Sequence, residues 1–435
     1  MGSVDPARGP EVGMTGPNRG KGAAVRAVGR TRKIMLYSHD TYGLGHLRRN
    51  LRIAGHLLGA APDLQIVLVS GSPVSAYFPA PPGLTVVKLP SVRKVGADHY
   101  RPLDSRVDIS LIRRTRTAIM ADVVRRFRPD VLLVDHSPAG MNGELLDVFA
   151  AVRDHSRATR VALGLRDILD DPGAVVRTWT EQGIYQLLAN VYDHIVVYGS
   201  RDVFDVGRHY QLPTPLADRL FYAGYIAPGV NPEPSDTNGA GPAGRYLLAT
   251  AGGGGDGVAV LDAAMDAGAA LGMATKVVAG PLLDDGEFAS LSAKAEQAAH
   301  VDLVRFHPQM HAAMAGATAI ITMGGYNSLC EAISVGVPTI VVPRTHPRLE
   351  QTIRAGIFAD RGLVSTVTAG PGLGGRLAQA VLGAARKPSI EQRIDLGGLG
   401  RLSSLLLPAG PAHAEGAHRG AGLTGADVLA ERLPA

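Results

Sequence analysis

The chain has 435 residues, 46% of them hydrophobic, and one cysteine, so a single ordinary core cannot hold it and an intramolecular disulfide is excluded. Its formal net charge of +5 is carried by residues 1–33, where Arg8, Arg19, Lys21, Arg26, Arg30, Arg32 and Lys33 face only Asp5 and Glu11. The remainder balances at 37 basic against 37 acidic residues, which argues against nucleic acid as a partner. No apolar leader opens the sequence and no apolar run approaches a membrane span, so a cytoplasmic location is expected, with peripheral membrane contact left open.

Residues 1–32 read as a disordered basic tail. Strand-length apolar runs then alternate with helix-length segments: "KIMLYSH" (33–39), "LQIVLVSG" (64–71), "LTVVKL" (84–89), "DVLLVDH" (130–136), "RVALGL" (160–165) and "HIVVYG" (194–199). Continuous Val, Ile and Leu runs suit strands buried on both faces of a parallel sheet. They place a first doubly wound domain over 33–225. A stretch dense in Pro, Gly, Ser and Asn reads as a linker over 226–245.

The rhythm restarts with "YLLATAG" (246–252), "TKVVAG" (275–280), "VDLVRF" (301–306), "TAIITMG" (318–324), "TIVVP" (339–343) and "LVSTV" (363–367), giving a second domain over 246–405. Residues 406–435 form a low-complexity tail with a terminal helix. The expected fold is α/β, with two doubly wound Rossmann-like domains facing each other across a cleft. Ligands belong at the C-terminal ends of the strands.

Two glycine turns follow strands of the second domain. Gly252, Gly253 and Gly254 come after the first, and Gly324-Gly325 precede a short helix that carries Ser328 and Glu331. Glycines there let backbone N–H groups approach a phosphate, and the helix dipole favours its charge. The run is not G-x-G-x-x-G, and no acid follows the next strand, which argues against a nicotinamide dinucleotide. Cys330, on the same helix, reads as a small packed hydrophobe.

The stretch "ITMGGYNSLCEAISVGVPTIVVPRTHPRLEQ" resembles the donor-binding segment of MurG-type glycosyltransferases of the GT-B fold. The resemblance spans roughly 246–365 and implies a UDP-linked sugar as co-substrate, with no separate cofactor. It implies that Glu331 accepts hydrogen bonds from the ribose hydroxyls, and that Ser328 and the backbone at Gly324–Gly325 hold the diphosphate. Gln351 would contact the sugar hydroxyls. Glu350 stands where the family often has a second Gln, and His346 lies in the same polar loop. Phe306 and His307 fall where the family's backbone meets the base.

In the first domain, "YSHDTYGLGHLRRN" (37–50) carries Gly43, Gly45 and His46 at a helix start and resembles the same family's glycine-rich turn. A histidine at a helix N-terminus can stay neutral and act as a general base, as inverting transfer requires. His46 is the first candidate and His39, at the strand tip, the second. Arg48, Arg49 and Arg52 form either a solvated face or a reception for an anionic acceptor. Asp135, His136, Arg166 and Asp167 end strands at the ligand-binding edge and are acceptor-side candidates with Gly43 and Gly45. No Asp-x-Asp stands at a strand end, so no metal site is expected.

The expected activity is inverting, metal-independent transfer of a sugar from a nucleotide-sugar to a small-molecule, polysaccharide or lipid-linked acceptor hydroxyl. Two rivals share the donor site. A nucleotide-sugar 2-epimerase would need Asp167, Asp170 and Asp171 to converge on the sugar. A non-catalytic nucleotide-sugar-binding protein would lack a working base.

Overall fold

The computed structural model describes residues 32–39, 44–75, 78–96, 99–155, 158–228, 245–253, 255–384 and 394–407. The basic tail up to residue 31, most of the linker (229–244) and residues 408–435 lie outside them, as do Gly43 and Gly254.

The first half builds β1 (Lys33–Ser38), β2 (Gln65–Ser70), β3 (Leu84–Lys88), β4 (Val92–Gly96), β5 (His99–Pro102), β6 (Val131–Asp135), β7 (Arg160–Arg166), β8 (His194–Tyr198) and β9 (Leu220–Tyr222). Seven of these form a parallel sheet in the order β3-β2-β1-β6-β7-β8-β9, and β4 and β5 form a separate antiparallel ribbon. The central strands are the long Val, Ile and Leu runs, and β6 is buried at every residue. The ribbon and the short β9 were not expected. "VRKVG" and "HYRP" are short and interrupted by charged residues, so their pattern does not announce strands.

The second half builds β10 (Tyr246–Thr250), β11 (Ala274–Val278), β12 (Val301–Val304), β13 (Ala319–Thr322), β14 (Thr339–Val341) and β15 (Ser365–Thr366). They form a parallel sheet in the order β12-β11-β10-β13-β14-β15. Each sheet reverses its strand order at one point, between β1 and β6 and between β10 and β13. Connections leave in opposite directions at such a point, and the crevice they open is where α/β sheets bind ligands.

Helices Tyr326–Ser334 and Glu350–Asp360 of the second half share one apolar core with the first sheet. Leu329, Cys330, Ile333, Ala355 and Phe358 pack with Leu36, Tyr198, Tyr225 and Ile226. Cys330 is 2% exposed and burial pushes its thiol up to about 12, in keeping with a packed hydrophobe. Helix Gly398–Leu406 returns to the first half: Leu402 and Leu406 enter the same core, and Arg401 Nε donates to Ala223 O at 2.7 Å. Among the described residues no helix is long and apolar enough to cross a membrane.

A buried ion pair pins this joint. Asp167 and Arg354 are both 0% exposed, and Arg354 Nη2 donates to Asp167 Oδ1 at 3.0 Å and to Ile168 O at 2.9 Å. Tyr225 Oη donates to Asp167 Oδ2 at 2.7 Å. Removing one partner of such a pair leaves an uncompensated charge in the core. Arg354→Ala is expected to lower the unfolding free energy in urea by about 3–5 kcal/mol, and the double change Asp167→Asn with Arg354→Met by less. A loss under about 1 kcal/mol for Arg354→Ala would contradict this role.

Candidate active site

The first sheet's switch point is where its chemistry gathers. β1 leads to helix Gly45–Ala60, and the neighbouring β6 ends on Asp135, which is fully buried. His46 and Arg49 lie one turn apart, so both reach the same strand end. Arg49 donates to Asp135 through Nε at 3.1 Å to Oδ1 and through Nη2 at 2.7 and 2.8 Å to the two oxygens. His46 Nδ1 stands 2.6 Å from Asp135 Oδ2. Burial alone would favour the neutral acid, but Arg49 and His46 outweigh it and pull Asp135 down to about 2.

An ionised carboxylate fixes the imidazole tautomer. Arg49 Nη2 also approaches His46 Nδ1 at 3.0 Å, yet a nitrogen 2.6 Å from a carboxylate oxygen must carry the proton. Nδ1–H therefore donates to Asp135 and Nε2 is left as the basic atom. Burial, with help from Arg49 and Arg166, holds His46 below its ordinary value even though Asp135 pulls the other way. The ring is neutral at pH 7.

Two further imidazoles flank it, with centroids 5.9 Å away for His39 and 5.0 Å for His136. Both His39 nitrogens face phenols, Tyr37 Oη at 3.2 Å and Tyr100 Oη at 3.4 Å. Tyr37 in turn donates to Glu144, which is paired with buried Arg116 at 2.6 and 2.8 Å. His39 is thus held inside a network, whereas His46 lines a cavity. His136 has a left-handed backbone (φ 72°), and burial and then Arg166 hold its ring well below the usual histidine range.

The second sheet's switch point carries both glycine turns. Gly252 (φ 67°) and Gly324 (φ 87°) adopt a backbone that only glycine takes easily, one after β10 and one after β13. Gly325 caps helix Tyr326–Ser334 with no side-chain partner for the helix's first N–H groups. Asn327 Nδ2 donates to Gly45 O at 2.8 Å, so this helix start meets the helix start of the first sheet.

Glu331 is not the partly exposed acid that its sequence position suggests. It is 1% exposed, and its Oε1 accepts from Arg48 at 2.5 Å and Arg52 at 2.6 Å, both from helix Gly45–Ala60. Burial would raise its pKa, but the two arginines hold it below the ordinary carboxylate value. Its Oε2 is buried without a partner.

Two adjoining cavities, of 210 and 240 Å³, share Leu44, Arg48, Gly252 and Ser328. The larger is lined by Phe306, His307, His311 and Glu331. The smaller brings His46, Gly45 and Arg166 of the first sheet together with Gly253, Gly325, Glu350 and Gln351 of the second. Arg344, which no sequence pattern singles out, ties its rim: Nη1 donates to Asp256 at 2.8 Å and Nη2 to Glu350 at 3.0 Å, while its backbone N–H donates to Gln351 at 3.1 Å.

Other expected residues lie elsewhere. His346 is exposed, lines neither cavity, and its Nδ1 faces Thr345 Oγ1 at 3.0 Å. Asp167 is unavailable to an acceptor because both its oxygens are engaged in the joint. Gly324 shapes its turn from beneath rather than lining a cavity. Arg48, Arg49 and Arg52 are neither a solvated face nor free for an acceptor, since carboxylates hold all three.

Residues 282–392 match the glycosyltransferase family 28 C-terminal domain. No curated protein matches the chain. Among solved structures it is similar to CalG4, the calicheamicin glycosyltransferase (TM-score 0.54, 17% identity, covering 86% of this chain and 95% of that one). It is also similar to the glycotransferase of kitacinnamycin (0.56, 18%, 93% and 100%) and to Acinetobacter baumannii MurG (0.52, 13%, 86% and 99%). Residues 282–392 thus carry a glycosyltransferase family 28 C-terminal domain, on a two-sheet architecture that shares the GT-B fold of these glycosyltransferases.

A depressed histidine pKa means that protonation opposes the folded site: the favourable term is present above about pH 6.5 and is lost as the pH falls through the folded value. In an NMR titration His46 is expected to titrate with a midpoint below 6.5. A midpoint at or above 6.5 would contradict the burial argument.

Proposed function

We propose that the chain transfers a sugar from a nucleotide-sugar, UDP-linked by resemblance, to an acceptor hydroxyl with inversion and without a metal. One observation carries the reading: the carboxylate-held, neutral His46 lines the same cavity as the glycine turns and the Glu350–Gln351 pair. The diphosphate would rest on the N–H groups at Gly252–Gly253 and Gly325, beside Ser328. The ribose would meet the unpartnered Oε2 of Glu331, and the base would lie along Phe306 and His307. Gln351 and Glu350 would face the sugar.

His46 Nε2 would then take the acceptor hydroxyl's proton as that oxygen attacks the anomeric carbon. The bond to the diphosphate breaks on the opposite face, and fixed N–H dipoles receive the charge. Asp135 stabilises the imidazolium that forms. Retention through a covalent glycosyl-enzyme would need a free carboxylate nucleophile, whereas Glu350 and Asp256 are both bound to Arg344.

The epimerase reading finds no support, because its carboxylates diverge. Asp167 is in the joint, Asp170 accepts from Leu349 N–H at 2.8 Å, and Asp171 caps helix Pro172–Glu181 through Ala174 N–H at 3.0 Å. The His46–Asp135 pair argues likewise against a non-catalytic binder.

The test separates binding from chemistry. Wild type should release UDP from UDP-N-acetylglucosamine in excess EDTA, and His46→Ala should lower kcat by about 10² or more with the UDP Kd within a few-fold. UDP should bind about tenfold or more tighter than 2′-deoxy-UDP, Glu331→Ala should erase most of that preference, and Glu331→Gln should be intermediate. Unchanged kcat in His46→Ala would remove the base, and equal binding of the two nucleotides would remove the ribose contact.

A further inference from the structure

The smaller cavity contains one cation too many. Of its arginines, Arg48 is bound to Glu331, Arg49 to Asp135, and Arg344 to Asp256 and Glu350. The Arg166 side chain lines the same cavity with no hydrogen bond or salt bridge to any described residue, and its Nε is buried without a partner. Glu350 attracts it across the cavity without reaching it. Burial, then Arg354, Arg49 and Arg348, push the guanidinium down to about 10, although Glu350 opposes them. A partly buried cation with no carboxylate in contact is unfavourable, and a protein keeps one where a ligand supplies the anion.

Its position says which ligand. Arg166 ends β7, and the register of β6 with β7 sets Asp135 opposite Gly164, two residues before Arg166. It therefore stands at the His46 end of the first sheet. Resting on the transferase reading above, we propose that Arg166 is the acceptor-specificity residue, binding a carboxylate or phosphate carried by the acceptor beside the hydroxyl that His46 deprotonates. Such an anion would also offset the influence by which Arg166 weakens His46 as a base, so an acidic acceptor would improve the base on arrival.

Calorimetry on the UDP-saturated protein tests this with glycerol 3-phosphate, D-glycerate and glycerol as minimal acceptors. Both anions should bind wild type about tenfold or more tighter than glycerol, because a guanidinium forms charge-assisted, bidentate bonds with an oxyanion. Arg166→Gln should abolish that preference and Arg166→Lys retain part of it, with the UDP Kd within about threefold of wild type in both. Equal binding of glycerol and glycerol 3-phosphate by wild type would overturn the proposal. Weakening of UDP by tenfold in Arg166→Gln would reassign the residue to the leaving diphosphate. Selective loss of UDP-glucuronate against UDP-glucose in that variant would assign the anion to the donor sugar. Failure of wild type to bind UDP at all counts instead against the donor reading, and the anion preference is then measured on the unliganded protein.

Discussion

Asp135 is the constraint on which the site depends. A carboxylate with no exposed surface at the end of a central strand stays ionised because Arg49 neutralises it and His46 hydrogen-bonds to it. Once ionised, it dictates the tautomer of His46 and so creates the basic nitrogen. Arg49 in turn lies over the rings of Tyr198 and Tyr326, at 5.3 and 5.7 Å, one from each half of the chain. The orientation of the base and the packing of the joint are therefore parts of one network.

The same economy recurs across the cleft. Glu331 is held by two arginines of the helix that begins beside His46, and Asn327 clasps that helix at Gly45. Elements of the first sheet thus complete the proposed donor site, whose lining comes mainly from the second. Bringing two switch points face to face puts fixed dipoles on one side and the buried His46 imidazole on the other, an arrangement that under the proposed reaction would cost no reorganisation when charge develops.

Much of the fold was legible. The strands of the two main sheets are long apolar runs, and their alternation with helices leaves few topologies other than doubly wound ones. The glycine turns were legible because only glycine suits the backbone at 252 and 324. The pairings were harder to see. Arg48 and Arg52 are four residues apart on one helix face, a pattern that normally means a solvated stripe, and their partner is about 280 positions away.

Asp167 looked like an acceptor residue because strand ends at a sheet edge usually serve ligands. The buried Arg354, hidden in an ordinary helical segment, claims it instead. Asp135 and His46 could have been linked from the pattern, since their strands flank the first switch point, but a separation of 89 residues carries no local signal.

A double-mutant cycle on His46 and Asp135 measures the central claim. If Asp135 acts by holding the base in one tautomer, its effect requires the imidazole, and His46→Ala with Asp135→Asn should turn over within about threefold of the slower single variant. Costs that multiply, each substitution slowing the other variant as much as it slows wild type, would mean that the two residues act independently and that the dyad is not the base.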